Sequence, residues 1–378
     1  MSELNTQTVP KDFSHKNGVS HQFIEPVKTE CDFQLSEGTQ RLVFEEGTEY
    51  IGDSLFRFWG SKFSEESLNN ITEIILPDGL KHIGSNAFRE LKSLKSCPIP
   101  DSVETIGGNA FTNCSSLTDT NLPSSLKKTG ADPFKNTPWH RRYKDKFIIA
   151  PNGYLLRYKG TAAEVVIPDT VTAIGWFAFS YNRNIVSVKI PSSVKYIGYM
   201  AFAECCKLKE LVIPDSAETI EDGAFQSSRK LEKVTLPDSL TSLSSGLFLS
   251  CRSLSSVNIP KNCRHIGEYT FTDCKALKSV SFPDSLTQID MGAFMNTGLE
   301  ELPLPQKLEV IGENAFAKNK SLKKVCLPDS VTAIKNRAFA DCLKLKEINI
   351  PDSVSDIADN AFENCDYLVK NPKLEMYF

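Results

Sequence analysis

The chain has 378 residues, 40% apolar, 24% charged and 10% aromatic, with a formal net charge of −4. That apolar fraction can fill a sizeable core and excludes a largely disordered chain. Near-balanced charge gives no general basis for binding nucleic acid or an anionic membrane, and no run approaches the ~18 apolar residues of a membrane span.

In chain order, residues 1–32 are polar and unrepeated, and are expected to be flexible. Residues 33–76 read as an N-terminal capping region with a degenerate first repeat around Phe56. Within it, Asp32-Phe33-Gln34-Leu35 and Arg41-Leu42-Val43-Phe44 suggest a capping hairpin. A regular repeat fills 77–136, is interrupted over 137–167, and resumes over 168–370. In the interruption, Phe147-Ile148-Ile149-Ala150 and Tyr154-Leu155-Leu156-Arg157-Tyr158 flank Pro151-Asn152-Gly153, which is a hairpin signal. Tyr367-Leu368-Val369 reads as a last strand, and 371–378 as a tail.

Proline marks the period. Pro77, Pro100 and Pro123, then Pro168, Pro191, Pro214, Pro237, Pro260 and Pro283, stand 23 residues apart, and Pro305, Pro328 and Pro351 continue the series after one interval of 22. Eleven residues after each of these twelve prolines stands a Phe, from Phe88 to Phe362. Self-similarity at this period is the signature of a solenoid and replaces a length-based guess of several domains. One residue before the prolines Ile or Leu dominates, and three before them Val, Ile or Leu, as in Glu347-Ile348-Asn349-Ile350 before Pro351, which is the alternation of a short strand. Proline lacks the N–H that a ladder needs and closes the strand at a corner. A second apolar pair follows three and six residues later, Ile at the latter in ten of twelve units, and Ala-Phe then begins an expected helical turn. The expected fold is therefore a β-rich α/β solenoid of about fourteen stacked coils, each with short strands and a short helical turn, around a spine of Phe.

Runs such as Leu345-Lys346-Glu347-Ile348-Asn349-Ile350-Pro351-Asp352-Ser353-Val354, continuing to Ala361-Phe362-Glu363-Asn364-Cys365, resemble the BspA-type leucine-rich repeats over essentially residues 33 to 370. The resemblance implies a leucine-rich-repeat right-handed superhelix. It also implies the company of surface or secreted proteins of bacteria and some protozoa, many regarded as adhesins or protein-binding modules. The sequence departs from that company in its polar first 22 residues, which carry no signal-peptide core. As written the chain is expected in the cytoplasm, or at the cell surface or outside if a leader was removed.

Six of the eleven Cys (Cys114, Cys205, Cys251, Cys274, Cys342, Cys365) occupy one repeat position, which Asn182, Asn319, Ser228, Thr137 and Thr297 fill elsewhere. Residues that trade Cys for Asn, Ser and Thr share small size and hydrogen-bonding capacity, so the column is expected to cap a buried turn as free thiols. A spacing of ~4.8 Å between parallel Cβ directions in stacked coils is a poor fit to a disulfide. An Asp column follows the prolines (Asp78, Asp101, Asp169, Asp215, Asp238, Asp284, Asp329, Asp352). Calcium needs about six to eight converging oxygens and the glycine-rich nonapeptide that supplies them is absent, so turn formation is the expected role. No GxSxG, HExxH or GxxxxGK[ST] occurs, and no catalytic residue, metal or cofactor is expected.

Two candidate surfaces remain. One is the outward column of the first strand, including Lys189, Val212, Thr235, Asn258 and Ser281, small and mostly neutral. The other surrounds the interruption: six of ten Tyr and two of three Trp lie between residues 139 and 199, beside Arg141, Arg142, Lys144, Lys146 and Arg157. Trp139, Arg141, Arg142, Tyr143, Trp176 and Tyr199 are the candidate partner-binding patch, because Trp, Tyr and Arg dominate interface hot spots. The competing explanation is that these aromatics cover a junction between two sub-solenoids. The expected function is non-catalytic binding of a protein, in its specific form as a bacterial-type adhesin, with no nucleic acid and no membrane insertion. The alternatives are a β-helix-like carbohydrate-active enzyme and a purely structural spacer. Weakly capped solenoid ends would allow self-association.

Overall fold

The computed structural model describes residues 4–11, 34–56 and 63–368. Two compact units divide the chain, Met1–Lys159 and Gly160–Phe378, so the boundary falls inside the interrupted segment 137–167.

Each unit is built from parallel ladders in which a residue pairs with its counterpart one coil on. In the first unit, strands Thr6–Val9, Arg41–Phe44 and Glu73–Ile75 form one sheet, and Tyr50–Ile51, His82–Ile83, Thr105–Ile106 and Lys128–Thr129 form a second. The unit also holds an antiparallel hairpin of Phe147–Ile149 with Tyr154–Tyr158. In the second unit, Glu164–Val166, Ser187–Lys189, Glu210–Val212, Lys233–Thr235 and Ser256–Val257 form a parallel sheet in chain order, and Glu301–Pro303, Lys324–Cys326 and Glu347–Asn349 another. The second strand of each coil adds its own ladder, such as Ala173–Ile174 with Tyr196–Ile197 and Thr219–Ile220.

The interior follows the apolar columns. Phe88, Phe111 and Phe134 stack in the first unit at ring-centroid distances of 5.2 and 5.1 Å. In the second unit nine Phe from Phe179 to Phe362 form a continuous ladder; Phe179 and Phe202 lie 4.7 Å apart with nearly parallel rings, and Phe339 and Phe362 lie 5.6 Å apart. Every one of these rings is buried.

The corners add a ladder of side chains. Ser102, Ser193, Ser216, Ser239, Ser330 and Ser353, each two residues after its proline, donate to a backbone carbonyl of the preceding coil at 2.6–2.9 Å. Asp101 and Asp238 accept from the backbone N–H of Ser124 and Lys261, their column neighbours one coil on. The Asp column is thus a corner device, and its carboxylates are spread one per coil.

Two expectations about the coils are corrected. The helical turn of each coil is a chain of tight turns and not α-helix: alternate N–H groups bond within the coil and to the next, as Phe88 N–H to Ala110 O at 2.8 Å, then Arg89 N–H to Asn86 O at 3.2 Å. Left-handed residues four apart, such as Asn86 and Glu90 with φ of 56° and 64°, prevent helical continuation. Two five-residue helices beyond residue 11, α1 (Glu65–Asn69) and α2 (Pro138–Arg142), are the α-helix that the described residues contain. The coil count is about twelve, three complete turns in the first unit and nine in the second, because the capping region and the hairpin segment do not make full turns.

The cap also differs. Thr6–Val9, in the segment expected to be flexible, pairs parallel with Arg41–Phe44. Gln7 holds the intervening turn, accepting from Ser36 N–H and donating to Gln34 O. Asp32 and Phe33, the proposed start of a capping hairpin, lie outside the described residues, as do Val369 and the tail 371–378. Tyr367 is in a turn, not a strand.

Candidate protein-binding surfaces

The strand face of the second unit is set by the period-two pattern: the middle residue of each strand points inward and its neighbours outward. Val166 and Val212 are 66% and 64% exposed, and Lys189 and Thr235 continue their column. Glu164, Ser187, Glu210 and Lys233 form the parallel column beside them. Asn258 and Ser281, expected in the same outward column, are exposed but lie outside the strands. Asn258 is moreover committed to the fold: its side-chain amide accepts from Leu236 N–H and donates to Leu236 O, both at 2.8 Å. Asn121 and Asn349 do the same for Ile99 and Leu327. The side-chain amide takes the place of the backbone carbonyl that accepts at this position in other coils, as Thr235 O does from Ile213 N–H.

The aromatic patch is sorted by the structure into two units. In the first, Trp139 is half-buried, 4.8 Å from Phe134 and 5.6 Å from Tyr143 by ring centroids. It stands at the end of that unit's Phe ladder, on α2, whose N-cap Thr137 accepts from His140 N–H. In the second unit Trp176 and Tyr199 lie 5.5 Å apart with rings tilted by 55°, and Trp176 Nε1 donates to Tyr196 Oη at 3.0 Å. Phe177 packs edge-on against Tyr199. These rings are half-buried packing between coils. Arg141 and Arg142, by contrast, are exposed.

Phe177, Met200 and Tyr269 share a column in which Asn86, Asn109, Gly223, Gly246 and Gly292 also stand, and all have positive φ. Bulky side chains rarely adopt this conformation. Two of them lie against a glycine one coil on. Met200 lies over Gly223, and a Cβ on Gly292 would sit 2.6 Å from the Tyr269 ring.

The cysteine column acts as a set of caps. The Sγ of Cys114, Cys205, Cys251, Cys274, Cys342 and Cys365 each donates to the carbonyl of the ladder Phe one coil earlier, at 3.1–3.3 Å. Ser228 makes the same bond at 3.0 Å and Asn319 at 2.8 Å. Burial pushes the Cys251 thiol up to about 12. All ten Cys among the described residues are free, and of these only Cys326 is exposed.

One polar pair escaped sequence reasoning because its members stand 25 residues apart, in neighbouring coils. His265 Nε2 lies 2.5 Å from Asp290 Oδ2, and Gln288 donates to the other carboxylate oxygen. Cys263 Sγ donates to the backbone carbonyl of His265 at 3.3 Å, away from the imidazole that meets Asp290. No group of three or more His, Cys, Asp or Glu among them could hold a metal ion, and no helix is long and apolar enough to cross a membrane.

The family model for the BspA-type leucine-rich repeat region matches six copies over residues 32–143, 153–277 and 241–369. Among solved structures, a leucine-rich repeat protein from Bacteroides ovatus is 29% identical, with 82% of each chain covered and a TM-score of 0.50. A leucine-rich cell surface protein from Faecalibacterium prausnitzii is 23% identical, covering 92% of this chain and 88% of its own, with a TM-score of 0.41. Among curated proteins nothing matches.

Proposed function

The chain belongs to the BspA-type leucine-rich repeat family, and from that premise we propose that it is a non-catalytic protein-binding scaffold. The observation that carries this reading is the outward face of the sheet from Glu164 to Val257, where Val166 and Val212 are about two-thirds exposed on a regular parallel array. Isolated exposed valines are ordinary; in one column, alternating with Lys189 and Thr235, they give a partner two apolar contact points at regular spacing between polar neighbours. The specific form of the function is adhesion at a cell surface, the role that the family resemblance implies.

The test is cross-linked capture by the intact chain and by Val166→Asp/Val212→Asp, with captured proteins identified and re-bound in pure form. Loss of a purified partner on the double substitution, at unchanged melting temperature, supports the proposal. A partner that binds both forms equally refutes the sheet as the binding face.

A further inference from the structure

Residues 127–159 carry nine Lys and Arg against two Asp, a net of +7 in a chain whose total is −4, so everything outside this segment carries −11. The structure separates the nine by what they do. Lys127 pairs with Glu104, Lys135 and Arg157 pair with Asp132, and half-buried Lys128 lies in the strand Lys128–Thr129. Lys159 closes the end of α2, its Nζ donating to His140 O at 2.6 Å and Tyr143 O at 3.0 Å. Arg141, Arg142, Lys144 and Lys146 remain; all four are exposed, and none has an ion pair among the described residues.

These four charges are held in place. Thr137 caps the start of α2, Tyr143 N–H donates to Trp139 O, and the Tyr143 ring rests on Trp139, itself packed on Phe134. Phe147, the residue after Lys146, is fixed in the hairpin opposite Tyr158. The backbone that carries the cations is thus anchored on both sides, which lowers the ordering cost of binding.

We propose that this end of the first unit binds a carboxylate-rich peptide segment of a partner protein through Arg141, Arg142, Lys144 and Lys146. Guanidinium and ammonium groups both recognise carboxylates, the former in bidentate geometry. Extent selects among anions. Arg141 to Lys146 can span at most about 18 Å, and the rest of the chain is net acidic. Outside residues 127–159 the chain offers a long sulfated glycan or nucleic acid no net positive charge. A segment with about four carboxylates in five or six extended residues, about 3.3 Å per residue, matches the patch and stops. This surface lies in the other unit from the column of Val166 and Val212 and does not depend on it.

The test uses the full chain and a fluorescein-labelled Asp/Glu peptide, read by anisotropy. Raising ionic strength from about 0.01 to 0.15 M shortens screening from about 30 to 8 Å and should weaken binding steeply. Replacing Arg141, Arg142, Lys144 and Lys146 together by Ser should weaken it at least tenfold, whereas Val166→Asp/Val212→Asp should leave it unchanged. Lys144→Glu/Lys146→Glu should lose the acidic peptide and gain a Lys-rich one, a readout that misfolding would not produce. The proposal is overturned if the Ser variant binds the peptide as the parent does. It is equally overturned if a heparin oligosaccharide or single-stranded DNA of equal charge binds more tightly, or if the charge-reversed form gains nothing.

Discussion

Phe225→Ala tests the spine of the second unit. Phe225 is fully buried, with Phe202 and Phe248 at 5.7 and 5.6 Å on its two sides. Truncation removes on the order of 100 Å² of buried apolar surface, about 2.5 kcal/mol at 25 cal/mol/Å². The backbone around it is tied into both neighbouring coils, Phe225 N–H to Leu247 O and Phe202 N–H to Ala224 O, so the cavity cannot collapse fully. The expected total is about 3–5 kcal/mol. Because a repeat array couples mainly through nearest neighbours, Phe362→Ala, with a ladder neighbour at 5.6 Å on one side, should loosen the last coil and shift the main transition less. Urea unfolding followed by far-ultraviolet circular dichroism gives both values. A loss below about 1 kcal/mol at Phe225, or equal losses at the two sites, would refute the stacked-spine account.

Cys251→Ser should be tolerated, since Ser228 makes the same bond in its own coil, whereas Cys251→Val should cost about 0.5–1.5 kcal/mol by removing one of the two donors to Phe225 O and leaving it Ser228 N–H alone; equal urea midpoints for the two variants would contradict this. Gly292→Ala meets both a φ of +62° and the Tyr269 ring, while Gly246→Ala meets the same φ with its nearest neighbour at 3.8 Å. Gly292→Ala should therefore melt lower than Gly246→Ala, and the reverse order would dismiss the packing of Tyr269 on that glycine. Burial holds His82 and His140 below the ordinary value of 6.5. The unfolded chain then binds more protons, so stability should fall as pH drops through about 6.5, and His140→Gln should flatten the dependence of melting temperature on pH. With Ellman's reagent on the native protein, Cys326→Ser should remove one fast-reacting thiol, while Cys251→Ser should leave the fast phase unchanged.

The repeating part of the fold was legible because one sequence column does one physical job. Ile and Val columns gave the ladders, Phe gave the spine, and the exchange of Cys with Ser and Asn announced a donor. What stayed hidden was backbone conformation and anything that bridges unlike segments. Ala-Phe followed by polar residues suits a helical turn, and nothing in single residues such as Glu90 or Tyr181 declares that they adopt φ of 64° and 61°. The polar strand Thr6–Val9 carries no apolar alternation of its own. Its pairing with Arg41–Phe44 depends on a long-range ladder and on the contacts of Gln7.

The candidate sites were harder to read for a related reason. Trp and Tyr concentrate where the period breaks, and composition alone assigns them to an interface. A broken period, however, also leaves ladders to terminate and coils to join, and large rings are suited to both tasks. Trp139 stands at the end of the Phe88–Phe134 stack, and Trp176 packs between coils with its N–H on Tyr196. The Arg and Lys beside Trp139 have no such duty. Arg141, Arg142, Lys144 and Lys146 bury little and pair with no acid among the described residues, although the chain holds more Asp and Glu than Lys and Arg. In a solenoid where acids and bases elsewhere meet across successive coils, as Lys195 with Glu218 and Lys323 with Glu300, four unmatched cations have no role in stacking. The part of the patch that packing explains is therefore the aromatic part, and the part that calls for an outside partner is the charge.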